Sequence, residues 1–121
     1  MCARILSAGC VLLFFAAACG KKPDAITFDT GTVRVVNQTP HPWTDIVVIV
    51  NHHYRAASSH LEPGGRLVAP VDSMVAGFGQ RFQRGRQSVF LIEVRAKRSD
   101  GQPVRLVWRN GKYVGEGEGG G

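Results

Sequence analysis

The fold is decided by the stretch Ser88-Val89-Phe90-Leu91-Ile92-Glu93-Val94-Arg95-Ala96-Lys97-Arg98, in which apolar and charged side chains alternate. Successive side chains of a strand point to opposite faces, so this period of two predicts a β-strand. The side chains expected to face the core are Phe90, Ile92, Val94 and Ala96, and those expected to face outward are Glu93, Arg95 and Lys97. The Asp100-Gly101 pair then predicts a tight hairpin turn, because it tolerates positive φ. Residues 103–109 return as the second strand, with Val104, Leu106 and Trp108 toward the core.

A second apolar segment, Asp45-Ile46-Val47-Val48-Ile49-Val50-Asn51, predicts a central strand of the core, since both of its faces are apolar. Before it, residues 27–38 are expected to form one strand with Val33 and Val35 on a common face. Pro40 and Pro42 end that strand, because proline cannot donate to a ladder.

The remaining elements are also short strands. Glu62-Pro63-Gly64-Gly65 predicts a turn, residues 66–71 a strand, and residues 74–82 a further strand. No stretch has a helical apolar stripe. Six or seven short strands joined by long turns predict an all-β domain, either a small immunoglobulin-like β-sandwich or a small closed β-barrel.

Four short motifs resemble those of bacterial extracytoplasmic immunoglobulin-like modules. They are Val35-x-Asn37-x-Thr39, Trp43-x-Asp45, Val48-x-Val50-Asn51 and Leu61-x-Pro63-Gly64. This sequence has Asn51-His52-His53-Tyr54 where some such modules place an aromatic residue followed by Asp. The resemblance implies the sandwich fold and leaves the activity open, because that fold hosts many functions.

The N-terminal segment has the order of a secretory signal. Arg4 is followed by an apolar run and then by Ala16-Ala17-Ala18-Cys19, small residues before a cysteine. This arrangement resembles the lipobox of bacterial lipoproteins, whose cysteine becomes the diacylated N-terminus, with palmitate among its fatty acids. A plain secreted protein and an uncleaved anchor are the alternatives, although residues 5–18 are shorter than the roughly 20 that a spanning helix needs. Cys10 gives a second match, but few apolar residues precede it.

The sequence therefore predicts four regions. Residues 1–18 are a signal peptide, residues 19–25 the lipidated Cys19 and a tether, residues 26–114 the β-sandwich domain, and residues 115–121 a disordered Gly/Glu tail. The expected location is the bacterial cell envelope, with the chain held to the membrane by lipid on Cys19. Gly20 rather than Asp after the cysteine favours the outer membrane in a cell that has one.

The cysteine content and net charge of the chain limit the classes of partner that are expected. Cys2, Cys10 and Cys19 all lie at or before the predicted cleavage point, so the mature domain is expected to contain no disulfide. Without Arg4, the chain has 14 Lys and Arg (15 − 1) against 9 Asp and Glu, a net charge of +5. A cationic envelope protein meets anionic lipid headgroups, lipopolysaccharide phosphates and acidic glycans, whereas export argues against nucleic acid.

No motif predicts an enzyme, a cofactor or a metal site. His52 and His53 are adjacent, and adjacent residues of a strand point to opposite faces, so they do not form an obvious metal pair. No serine lies in a Gly-x-Ser-x-Gly elbow, and no glycine spacing suits a phosphate-binding loop.

Two sets of cations are candidate anion-binding residues. Arg81, Arg84 and Arg86 lie in a loop with two phenylalanines, and Arg95, Lys97, Arg105 and Arg109 are expected to share one face of the hairpin. The alternative is that Phe78 or Phe82 closes the end of the sandwich while the charged side chains stay solvated. Two functions remain open: a non-catalytic interaction or structural module, or a binding domain for an anionic small molecule, lipid headgroup or envelope glycan.

Overall fold

The computed structural model describes residues 23–116, so the predicted signal peptide, Cys19 and residues 117–121 lie outside the described residues. The described chain forms nine strands and one short 3₁₀ turn. The strands are β1 (Ile26–Asp29), β2 (Thr32–Val36), β3 (Trp43–Val50), β4 (Tyr54–Leu61), β5 (Arg66–Pro70), β6 (Val75–Ala76), β7 (Leu91–Arg98), β8 (Pro103–Arg109) and β9 (Lys112–Glu116).

The strands form two antiparallel sheets that pack as a sandwich. One sheet has the order β1-β2-β5 and the other β6-β4-β3-β7-β8-β9. This order matches strands A-B-E and C′-C-F-G of immunoglobulin-like domains, with β6 and β9 added at the two ends of the larger sheet. Within residues 23–116 both sheets end in edge strands, so the sandwich prediction is confirmed and the closed barrel is wrong.

The core lies between the two sheets. The smaller sheet contributes Ile26, Val33 and Val35, and the larger sheet contributes alternate residues of β3, β7 and β8. As predicted, β3 is central, with β4 and β7 as its neighbours, and Val48 and Val50 are fully buried. At one edge of the interface Phe28 packs edge-to-face on Trp108, with ring centroids 5.7 Å apart.

The single strand expected over residues 27–38 is wrong. The chain turns at Thr30 (φ 53°) and Gly31 (φ 73°), so that β1 and β2 pair as a hairpin. Positive φ at both turn residues is the geometry of a tight hairpin loop that matches strand twist. Threonine rarely adopts that conformation, and the sequence therefore gave no sign of the turn.

The hairpin of β7 and β8 forms as predicted, with Val94 opposite Leu106 and Ile92 opposite Trp108 on the core side. All four of these side chains are buried. The prediction for Phe90 is wrong, because β7 begins at Leu91 and Phe90 is 46% exposed.

Two strands are absent from the sequence prediction. β4 is built largely of Ala, Ser and His, which have little intrinsic strand preference, and its pairing with β3 imposes the extended conformation. β9 pairs with β8 and includes Gly115 and Glu116, the first two residues of the predicted tail.

Two buried asparagines organise the ends of the sandwich. The amide nitrogen of Asn37 donates to the carbonyls of His41 (2.8 Å) and Leu61 (3.0 Å), and its Oδ1 accepts from the hydroxyl of Thr39 (2.7 Å). At the opposite end, Asn51 donates to the carbonyl of Ser88 (2.8 Å) and accepts from the backbone amide of Phe90 (3.0 Å). The Asn-x-Thr motif of Asn37 and Thr39 therefore has a structural role.

Candidate functional site

The outer face of the six-stranded sheet carries a group of cations. Arg95 on β7 lies directly opposite Arg105 on β8. In the same ladder Lys97 pairs with Pro103, and Arg109 pairs with Leu91. Because paired residues share a face and faces alternate along a strand, the register places the four candidate cations of the hairpin on one side of the sheet.

Glu93 is the acid that lies between the two arginines. Its Oε2 accepts hydrogen bonds from Nε of Arg105 (2.6 Å) and from Nε of Arg95 (3.1 Å). The carboxylate side chain is only 10% exposed. Burial alone would raise the pKa of Glu93, but the hydrogen bonds from Arg105 and Arg95 outweigh it and hold the pKa below its ordinary value of 4.5. Glu93 therefore stays ionised and fixes both guanidinium groups.

The hydrogen bonds that join Glu93 to Arg95 and Arg105, called here the Glu93 clamp, leave this pair of arginines with an excess positive charge. One carboxylate neutralises one of two guanidinium groups, and Arg95 keeps 59% of its side chain exposed. Guanidinium groups held in place can offer several N–H donors to a phosphate or carboxylate at little further entropic cost. The arrangement suits the binding of an anion at the sheet surface.

Two cations of this face are missing from the sequence prediction, Arg55 and Lys112, and Lys112 lies directly opposite Arg109. Arg55 on β4 lies opposite Ile49, which in turn lies opposite Glu93. Arg55 therefore shares the outer face with Arg95 and Arg105. Its assignment requires β4 to be recognised as a strand, and the Ala-Ala-Ser-Ser sequence that follows Arg55 did not predict one.

The cations surround an apolar strip. Ile49 and Val107 flank Glu93 across the sheet, and Leu91 precedes it on the same face of β7. All three are less than a tenth exposed although they face away from the core. The neighbouring positions on this face hold Arg55, Arg95 and Arg109, whose aliphatic stems can cover apolar side chains while their charged ends reach water.

The three loop arginines take different positions relative to this face. The loop of residues 77–90 crosses the end of the larger sheet from β6 to β7. Arg84 turns toward the smaller sheet, where its Nη1 donates to the carbonyl of Thr30 (3.5 Å) and lies 4.0 Å from Asp72. Arg86 closes a turn through its backbone amide. Arg81 forms an isolated bridge with Val75, which pairs with Arg55, so Arg81 lies at the margin of the same outer face. The structure thus separates Arg84 from the hairpin cations and brings Arg81 to their side of the sheet.

Phe82 closes this end of the sandwich. It is buried and packs edge-to-face on Tyr54, with ring centroids 5.1 Å apart. Phe78 is 71% exposed. Phe82 is therefore the phenylalanine that holds this loop in place.

A side cavity of about 260 Å³ opens where β8 and β9 extend beside the N-terminal end of β1. Trp43 and Leu106 form part of its apolar wall, and Arg98, Tyr113 and Glu116 are among its polar residues. Burial raises the pKa of Tyr113, and the nearby Glu116 raises it further. Arg98 is paired with Asp100, so the cavity has mixed charge and offers less preference for an anion than the sheet face does.

The buried polar residues of the described chain all have structural partners. They are Asn37, Asn51 and Glu93, and no buried side-chain nitrogen or oxygen within residues 23–116 lacks a hydrogen bond. In the same range no three His, Cys, Asp or Glu side chains are placed to hold a metal ion. Nor does this part of the chain contain a helix with the length and hydropathy required to cross a membrane.

The comparisons with known proteins add no assignment: the chain matches no protein-family model, no curated protein and no solved structure.

Proposed function

We propose that this chain is a lipid-anchored, non-catalytic module of the bacterial cell envelope that binds phosphate-bearing surfaces through the outer face of its larger sheet. The basic face is defined by Arg55, Arg95, Lys97, Arg105 and Arg109. The signal-like N-terminus with Cys19 supports the envelope location, and the net charge of the chain supports an anionic ligand. The non-catalytic part of the proposal rests on the structural use of the buried polar groups.

The observation that carries the proposal is the direct pairing of Arg95 with Arg105. Like charges placed opposite one another destabilise a sheet, and Glu93 offsets that cost only in part. Arg55, Lys97 and Arg109 add three further cations, and none of them belongs to an ion pair that the structure describes.

The strength of such binding follows from the number of cations. A Lys or Arg close to an anionic bilayer contributes about 1 kcal/mol at moderate salt. Three of these residues therefore contribute about 3 kcal/mol, on the order of a hundredfold in partitioning. Binding of this kind weakens as salt shortens the screening length to ~8 Å.

The test uses vesicles with the soluble chain from Gly20 to Gly121. The variant Arg55→Gln/Lys97→Gln/Arg109→Gln removes three charges from the face and leaves the Glu93 clamp intact. We expect it to lose most of its cosedimentation with vesicles of phosphatidylglycerol and phosphatidylcholine at low salt, while its circular dichroism spectrum stays that of the parent.

The matched control is Arg34→Gln/Arg66→Gln/Arg84→Gln, which removes the same number of charges from the smaller sheet and from the loop residue that contacts Thr30. If net charge alone governs binding, the two triple variants will bind equally. If the basic face is the site, only the first variant will lose affinity. Equal cosedimentation of the parent with anionic and neutral vesicles would refute the proposed ligand.

A further inference from the structure

The larger sheet ends in a small hairpin that carries an exposed phenylalanine at its tip. Val75 pairs with Arg81, and between them the backbone amide of Gly79 donates to the carbonyl of Ala76 (2.9 Å). Gly79 has a φ of 88°, the left-handed conformation that closes a three-residue hairpin loop. Phe78 is the middle residue of that loop. The segment from Val75 to Arg81 is called here the Phe78 hairpin.

The base of the Phe78 hairpin is fixed to the core. Phe82 follows it directly, is buried, and packs edge-to-face on Tyr54 with ring centroids 5.1 Å apart. The backbone amide of Phe82 also donates to the carbonyl of the fully buried Met74 (3.2 Å). Phe78 itself is 71% exposed, the largest exposed fraction of any large apolar residue within residues 23–116. The fold therefore holds Phe78 in water on an anchored hairpin.

The Phe78 hairpin continues the outer face of the larger sheet. Val75 lies opposite Arg55 on β4 and opposite Arg81 across the hairpin. Paired residues share a face, so Val75 and Arg81 lie on the same side of the sheet as the basic face. Both are exposed, Val75 to 38%. Phe78 therefore stands at the margin of the basic face, beyond the end of β4 at Tyr54.

The sequence around Phe78 carries only positive charge. Residues 74–90 contain three arginines and no Asp or Glu. The acid that precedes them, Asp72, lies 4.0 Å from Arg84, whose side chain turns toward the smaller sheet. A partner that accepts Phe78 together with the neighbouring Arg81 must therefore be anionic where it meets the arginine and apolar where it meets the ring.

We infer that Phe78 enters the apolar layer of an anionic lipid bilayer when the basic face lies on the headgroups. A bilayer offers both chemistries in the required order, with phosphates at its surface for the arginines and an acyl layer directly beneath for the ring. A hydrated polymer of phosphates or acidic sugars offers the charge alone. The inference rests on the proposed function and deepens it, because it selects a lipid bilayer among phosphate-bearing surfaces and names the residue that inserts.

The test places an environment-sensitive dye at the tip of the hairpin. The whole sandwich lies within residues 23–116, and the chain from Gly20 to Gly121 contains no cysteine. Its variant Phe78→Cys is labelled with a nitrobenzoxadiazole dye and mixed with vesicles of phosphatidylglycerol and phosphatidylcholine at low salt. We expect the emission of the dye to increase several-fold and to be quenched by lipids that carry a nitroxide on the acyl chain. Labelled Val68→Cys, exposed on the smaller sheet, should show neither change.

A second measurement tests the phenylalanine side chain without a label. Phe78→Ala should weaken partitioning into the same vesicles about tenfold, because it removes most of the apolar surface that inserts, whereas Phe78→Trp should retain it. Soluble polyphosphate has the phosphates without the apolar layer. Both variants should therefore bind polyphosphate as the parent does, and the dye at residue 78 should not respond to it.

The possible outcomes separate the inserting residue from the basic face. The inference is overturned if labelled Phe78→Cys binds vesicles with no change in emission, if polyphosphate produces the same change, or if Phe78→Ala binds vesicles as tightly as the parent. The basic face would survive each of these results. Parent-like insertion of the label in a chain that also carries Arg55→Gln/Lys97→Gln/Arg109→Gln would instead refute the basic face and leave Phe78 as the insertion site. A parent chain that binds no anionic vesicles would refute both.

Discussion

Glu93→Gln is the sharpest test of the clamp, because it keeps the shape of the side chain and removes its charge. In the parent, Oε2 of Glu93 accepts from Nε of Arg105 at 2.6 Å and from Nε of Arg95 at 3.1 Å. The amide of glutamine still offers one acceptor, but a neutral one. The substitution therefore weakens two charge-assisted hydrogen bonds and leaves the two guanidinium groups facing each other without a counter-charge.

The size of the effect follows from the exposure of the two arginines. The side chain of Arg105 is 29% exposed, and replacing its charge-assisted bond by a neutral one costs about 1 kcal/mol. That of Arg95 is 59% exposed, so solvent screening limits its contribution to about 0.5 kcal/mol. We expect Glu93→Gln to lower the free energy of unfolding by about 1.5 kcal/mol at neutral pH.

The pH dependence of the stability difference between the parent and Glu93→Gln distinguishes an effect of the Glu93 charge from an effect of the shape of the side chain. The pKa of Glu93 is depressed in the folded state, so its stabilisation is complete above the ordinary value of 4.5 and is lost as pH falls through the folded pKa. Urea unfolding of the chain from Gly20 to Gly121 should therefore show the full difference between parent and variant at about pH 7 and a smaller difference at about pH 3. Glu62→Gln, an exposed control, should change stability by less than about 0.5 kcal/mol. A Glu93→Gln effect of the same size at both pH values would refute the clamp, whereas tighter binding of this variant to anionic vesicles would support the basic face.

Three further outcomes are expected. Metabolic labelling with an alkyne-bearing fatty acid should mark the full chain and not its Cys19→Ser variant, and equal labelling of both would redirect attention to Cys10. Val48→Asp should prevent folding, as judged by circular dichroism, because an unpaired carboxylate at a fully buried position costs several kcal/mol, whereas Thr44→Asp on an exposed part of the same strand should fold. Asn37→Ala should lower the free energy of unfolding by about 2–4 kcal/mol in urea titrations, since it leaves the carbonyls of His41 and Leu61 without their donor, whereas the exposed neighbour Gln38→Ala should change it little.

The sequence predicted those parts of the fold whose local signals agree with the final structure. The strand residues of β7 and β8 alternate, and Asp100-Gly101 is a strong turn pair, so the hairpin and the core-facing side of most of its residues could be predicted. The turn at Thr30-Gly31 was not, because threonine seldom takes positive φ. The strand at Ala56-Ala57-Ser58-Ser59 was not, because its pairing with β3 outweighs its weak preference.

The basic face was predictable within the hairpin and not beyond it. Alternation along β7 and β8 is a local signal, and it was enough to place Arg95 and Arg105 on one side of the sheet. Arg55 joins them only through the strand order β4-β3-β7, which depends on contacts between distant segments. Arg84 leaves the group for a similar reason, since its contact with Thr30 joins residues 54 positions apart. Amino-acid composition and the hydrophobic period of a strand contain no information on contacts between residues so far apart in the sequence.

The basic face makes a directional prediction for a single substitution, Ala57→Lys. Ala57 lies opposite Val47, which lies opposite Arg95, so a lysine there joins the basic face. The added cation should strengthen binding to anionic vesicles by about 1 kcal/mol, or roughly fivefold. The matched control is Val68→Lys, which adds the same charge at an exposed position of the smaller sheet and should change binding much less. Cosedimentation of the chain from Gly20 to Gly121 with anionic vesicles at low salt compares the two variants. An equal rise in both would mean that net charge, and not the position of the charge on the basic face, governs binding.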